Sequence, residues 1–104
     1  MVVVMDMPVT IEFYCASSVE LFSEALADVK RVVEEFRKQG RDIRLLVLPI
    51  EQIENFESAK RYLAEKKGVK EVERVVTPLI VVNGKVIYVG YREDLADELR
   101  KALK

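Results

Sequence analysis

Pro78-Leu79-Ile80-Val81-Val82-Asn83-Gly84-Lys85-Val86-Ile87-Tyr88-Val89 decides how this 104-residue chain folds. Two runs rich in β-branched and aromatic residues flank Asn-Gly, the pair that best tolerates the two left-handed positions of a tight hairpin turn. The stretch therefore predicts two antiparallel strands. Proline has no N–H to give a sheet, so Pro78 belongs at the first residue of its strand. Gly90-Tyr91 closes the hairpin. Beyond it, Leu95, Leu99, Ala102 and Leu103 recur at helical spacing and predict a last helix from about Glu93.

Upstream, residues 69–77 read as a loop or a short strand. Residues 55–67 predict a helix with Phe56, Ala59 and Leu63 on its inner stripe and Gly68 as its stop. Residues 43–48 (IRLLVL) predict a strand that Pro49 ends. Its near-continuous apolar run implies burial on both faces, as in the middle of a covered sheet. Phe22, Ala25, Leu26, Val29, Val32, Val33 and Phe36 form the stripe of an amphipathic helix over 18–39. Ser17-Ser18-Val19-Glu20 is its capping box and Gly40 its left-handed stop. In residues 9–15, Val9, Ile11, Phe13 and Cys15 alternate with Thr10, Glu12 and Tyr14, which is a strand pattern.

The order is β-α-β-α-β-β-α: an α/β domain with a four-stranded mixed sheet and helices on both faces. Its first three elements form a parallel crossover, for which the right hand is the rule. The length allows one domain over 1–104, with residues 1–8 an N-terminal arm or edge strand. Half the residues are apolar and a third charged, with a net charge of −1. No basic block suggests nucleic-acid binding. Met1-Val2-Val3-Val4-Met5 has no basic start or cleavage site, and no run reaches membrane-spanning length. With one cysteine and no histidine, neither an internal disulfide nor a closed Cys/His zinc site can form. A lone thiol without an export signal points to the reducing cytoplasm.

Cys15 ends the first strand just before a helix. Free backbone N–H groups and the helix dipole favour a thiolate there, so its pKa is expected below the free value of about 8.5. The competing reading is a small buried hydrophobe that finishes an apolar strand face.

The run Val76-Thr77-Pro78-Leu79-Ile80-Val81-Val82-Asn83-Gly84-Lys85-Val86 resembles the V-P-x-x-x-x-N/D-G-x-x signature of the thioredoxin and glutaredoxin superfamily, with Thr77 inserted. Gly90 and Asp94-Leu95 are similar to the glutaredoxin-type close. The resemblance implies a thioredoxin-like fold, a cis Thr77–Pro78 bond and Pro78 facing Cys15. Cys15-Ala16-Ser17-Ser18 is a C-x-x-S form of the family's C-x-x-C motif. Monothiol glutaredoxins also carry Cys-x-x-Ser, but with Gly and Phe between, and with a basic residue before the cysteine where this chain has Glu12-Phe13-Tyr14.

What the resemblance implies is monothiol thiol–disulfide exchange through a mixed disulfide at Cys15. Cys15 and Ser18 stand at the catalytic positions. Ser17, Thr77 and Pro78 stand at the substrate-binding ones. The partners are protein or small-molecule thiols and disulfides, with no resident cofactor and glutathione as an external thiol. Asp94 stands where a glutathione amine would be met; helix capping is its other reading. Phe56, Ala59-Lys60-Arg61-Tyr62-Leu63, Gly68 and the hairpin also resemble thioredoxin-fold arsenical metallochaperones, whose clustered cysteines hold a trivalent metalloid. One thiol cannot enclose such an ion, so that role needs a partner's thiols or a dimer. The alternatives to exchange are a non-catalytic binding domain, for a partner or a metalloid, and a redox-inactive or engineered member of the fold.

Overall fold

The computed structural model describes residues 8–16 and 21–104. Seven elements follow one another: β1 (Val9–Cys15), α1 (Leu21–Lys38), β2 (Ile43–Pro49), α2 (Ile53–Lys67), β3 (Leu79–Val82), β4 (Lys85–Val89) and α3 (Leu95–Leu103). The sheet runs β2-β1-β3-β4. β1 is parallel to β2 and antiparallel to β3, and β3 is antiparallel to β4. This is the thioredoxin-like α/β class that the sequence predicts, with a four-stranded mixed sheet between helices on both faces.

Alternation in β1 divides the core. Val9, Ile11, Phe13 and Cys15 pack with Ala25, Val29, Val32, Val33 and Phe36 of α1 and Leu95, Leu99 and Leu103 of α3. On the other face Tyr14, Leu79 and Val81 pack with Ala59, Leu63 and Ala64 of α2. A bidentate pair ties α3 to α1: the Arg100 guanidinium donates to both Glu35 carboxylate oxygens at 2.8 Å.

The hairpin forms where Asn-Gly places it. Asn83 and Gly84 have φ of +48° and +82°, the two left-handed positions such a turn requires. Asn83 also extends the β1–β3 ladder: its N–H donates to the Thr10 carbonyl and its Oδ1 accepts the Thr10 N–H, both at 2.9 Å. Replacing Asn83 by Ala removes that acceptor and puts a less tolerant residue at positive φ. Denaturant titration should show a loss of about 1–2 kcal/mol, with Asn83→Asp retaining most of the stability. Ile87 has no partner across the hairpin, because the register steps from Ile80↔Tyr88 to Val81↔Val86, which makes it a β-bulge.

The structure corrects several expectations. Among the described residues β2 is an edge strand, not a middle one. Of its residues only Ile43 is buried, and Val47 is 36% exposed. The double-sided burial belongs to β1 and β3, because the chain crosses back inside β1 before forming the hairpin. Residues 69–78 form no strand, and α2 starts two residues earlier than its apolar stripe indicates. Phe56 is half-buried rather than core, with the Lys60 ammonium 5.6 Å from its ring centre. α1 spans 21–38 among the described residues; the capping box at 17–20 and most of the N-terminal arm lie outside them.

Candidate functional site

The carboxyl ends of β1, β2 and β4 and the start of β3 share one end of the sheet. Cys15 sits there as the last residue of β1, opposite Pro49 of β2, and its carbonyl accepts the Ile50 N–H at 2.8 Å. On its other side the β1–β3 ladder ends at Tyr14↔Leu79. One further step along that register brings Pro78 opposite Cys15.

The Thr77–Pro78 bond is cis. Pro78 is buried and Thr77 half-buried. The Pro78 carbonyl accepts the Gly90 N–H at 2.9 Å, which ties the proline to the end of β4. Gly90 has a φ of +78°, and a Cβ there would stand 3.6 Å from the Val76 side chain. Thus Cys15, Thr77 and Pro78 come together at one corner. Ser17 and Ser18 lie outside the described residues.

The chemistry of Cys15 departs from expectation. Its residue is 2% exposed and its side chain belongs to the α1–α3 side of the core. Burial, reinforced by the negative charge of Glu51, pushes the thiol pKa up to about 11. The expected depression came from helix N–H groups at an open corner. Desolvation disfavours the charged form, and residues 17–20, which were to supply those N–H groups, lie outside the described residues. Phe13, two residues back on the same face, stacks 6.3 Å from Phe22 and extends the apolar wall of that core.

Asp94 precedes α3 but makes no side-chain cap bond. Its Oδ1 instead accepts the Tyr88 hydroxyl at 2.8 Å and lies 3.3 Å from the Arg92 guanidinium. The Tyr88 hydroxyl also accepts the Arg92 N–H at 3.0 Å, and the Arg92 guanidinium lies 4.4 Å from the Tyr88 ring centre. The Tyr88 bond and the Arg92 charge hold the Asp94 carboxyl below its ordinary range. Asp94 is thus committed to closing the hairpin-to-helix loop.

A polar group on the opposite face escaped the sequence reading. Glu12 accepts the Tyr14 hydroxyl on one carboxylate oxygen at 2.6 Å and the Tyr62 hydroxyl on the other at 2.8 Å. The two rings lie 6.1 Å apart. Burial first, and Glu12 second, raise both phenol pKa values. The available signal was Glu12 and Tyr14 two apart on one strand face; nothing local indicated that Tyr62 reaches them from α2. Among the described residues, no three His, Cys, Asp or Glu groups are placed to hold a metal ion. No helix among them is long and apolar enough to cross a membrane. No family model, curated protein or solved structure matches the chain.

Proposed function

We propose that this chain is a non-catalytic binding domain on a thioredoxin-like scaffold, in which Cys15 is a redox-inactive core thiol. The observation that carries this reading is the burial of the sulfur: Cys15 is 2% exposed, and that burial pushes the thiol pKa up, to about 11. Thiol–disulfide exchange needs a thiolate within reach of a disulfide, and this site supplies neither at neutral pH. The corner instead offers apolar surface. Ile53 at the start of α2 is 64% exposed and Val76, beside Thr77, is 47% exposed. Both flank the end of the sheet that carries Pro78, and solvent-facing apolar side chains around a buried proline suit an extended partner segment. A thiol held reduced in this way fits a cytoplasmic protein.

Incubation with oxidised glutathione at pH 7.5, read by intact mass, tests this directly. The folded chain is expected to acquire no adduct over an hour, and the urea-unfolded chain to acquire one. A stoichiometric adduct on the folded chain overturns the reading.

One observation favours the second reading, monothiol exchange: the β1–β3 register, which one step on sets Cys15 opposite Pro78. In that cycle the Cys15 thiolate attacks one sulfur of a disulfide, and the other sulfur leaves as a thiolate. An external thiol such as glutathione then breaks the mixed disulfide and returns Cys15 to its reduced form. Ser18→Cys separates the two readings further. A scaffold competent for exchange gains insulin reduction with a second cysteine, whereas a redox-inactive one stays at background.

A further inference from the structure

We propose that the outer edge of β2 pairs antiparallel with the same edge of a second copy of this chain, about a two-fold axis at Leu46, to make one eight-stranded sheet. The hydrogen bonds fix which groups of β2 face outward. Val9 donates to the Asp42 carbonyl and Ile50 donates to the Cys15 carbonyl. Even-numbered residues of β2 therefore serve β1. The odd-numbered residues Ile43, Leu45, Val47 and Pro49 turn their backbone groups to the open edge.

The carbonyls at both ends of that edge are occupied. The Ile43 carbonyl accepts from Arg37 Nε at 3.2 Å and from Arg37 Nη2 at 2.8 Å. Pro49 has no N–H, and its carbonyl accepts from the Gln52 N–H at 3.2 Å and the Asn55 side chain at 3.0 Å. Among the described residues this leaves the N–H and C=O of Leu45 and of Val47, with the Ile43 N–H beyond them.

A window of two residues centred on Leu46 is its own complement. In the antiparallel pairing that opposes Leu45 to the second copy's Val47, all four groups of each copy are satisfied. Sliding the pairing by two residues either way sets an open residue against the occupied Ile43 carbonyl or against Pro49. Only the Leu46-centred register pairs both backbone groups of both Leu45 and Val47.

The side chains agree. Edge strands are ordinarily guarded by charge, proline or a bulge. Here 45–48 is Leu-Leu-Val-Leu, uninterrupted by charge, and Val47 is 36% exposed. Leu45 and Val47 line a groove of about 400 Å³ between β2 and α1, together with Val33 and the charged Lys30, Glu34 and Arg37. Leu46, on the other face, would meet the second copy's Leu46 on the axis. The apolar run that reads as a central strand becomes one in the dimer.

Cross-linking and sedimentation test this. In a Cys15→Ser background, Leu46→Cys places two thiols across a non-hydrogen-bonded pair, where Cα atoms lie about 4.5 Å apart, within disulfide range. Two thiols and one oxidised glutathione then give one intermolecular disulfide and two reduced glutathiones. The Leu46→Cys chain is expected to form covalent dimer at least tenfold faster than Arg44→Cys in the same background. In sedimentation the unmodified chain should move from one to two chain masses between about 10 µM and 1 mM, the range of a small transient interface. Val47→Pro deletes an outward N–H without touching the β1 ladder and should stay monomeric; Val47→Lys serves the same purpose if the proline variant does not fold.

A chain that remains monomeric throughout overturns the proposal and leaves the edge to another protein's strand or to residues 1–7. Equal cross-linking of the two cysteine variants, or an undiminished dimer in folded Val47→Lys, overturns it as well.

Discussion

At pH 7, iodoacetamide should alkylate Cys15 in the folded chain at least 30-fold more slowly than a free cysteine, with a rate that climbs until about pH 11. A free thiol of pKa about 8.5 is roughly 3% ionised at pH 7, whereas a thiol of pKa 11 is about 0.01% ionised, a ratio near 300. Greater basicity makes the rarer thiolate the better nucleophile and returns about tenfold. Burial at 2% exposure then slows the reaction again. The same shift links to stability. The folded pKa lies above the unfolded one, so the contribution is fully present below about pH 8.5 and is lost as pH rises towards 11. About two and a half pKa units correspond to roughly 3 kcal/mol across that window. Tyr14 and Tyr62 act in the same direction above pH 10, where free phenols ionise. Cys15→Ala therefore isolates the thiol: its denaturation midpoint should vary less between pH 8 and 10 than that of the parent. An alkylation midpoint below about pH 8 would reverse the conclusion and restore the exchange cycle.

The contrast at Cys15 shows what a sequence conveys and what it withholds. Element order and the hairpin turn were legible because they rest on local rules: alternation in residues 9–15, the helical stripe from Phe22 to Phe36, and left-handed φ at Asn83-Gly84. The meeting of Cys15 with Pro78 was legible only through family resemblance, since 63 residues separate them and a sheet register joins them. The ionisation of Cys15 was not legible. A strand-end cysteine before a helix looks activated when only the helix is considered. Its environment depends on Phe13, α1, α3 and Glu51 together, which come from four parts of the chain. β2 misled for a related reason. Apolar residues on both strand faces signal burial on both faces, but not by which molecule, and within one chain that strand lies at the edge. For Glu12 the alternation gave only a strand face shared with Thr10 and Tyr14. Its partners depend on α2 crossing above it, which no local pattern specifies.

Tyr14→Ala should destabilise the chain by about 3–5 kcal/mol, while Tyr14→Phe costs only about 1–2 kcal/mol. Tyr14 is 1% exposed and is the largest side chain in the small core under α2, whose other buried members are Ala59, Leu63, Ala64, Val72, Leu79 and Val81. Two of these seven are alanines on α2, so losing the ring removes the largest buried side chain against which that helix packs. Phenylalanine keeps the ring and gives up one hydrogen bond to Glu12, whose second oxygen still accepts from Tyr62. Both phenols serve one carboxylate, so their losses should not add. A double-mutant cycle of Tyr14→Phe with Tyr62→Phe should give a coupling of about 0.5–1 kcal/mol, read from urea midpoints. If Tyr14→Phe proves as costly as Tyr14→Ala, the hydrogen bond rather than the ring holds α2 to the sheet. If both cost under 1 kcal/mol, α2 is held elsewhere and the Glu12 network is incidental. The expected order places the weight on the ring, because Tyr14 is the largest fully buried side chain there and α2 meets it with two alanines and one leucine.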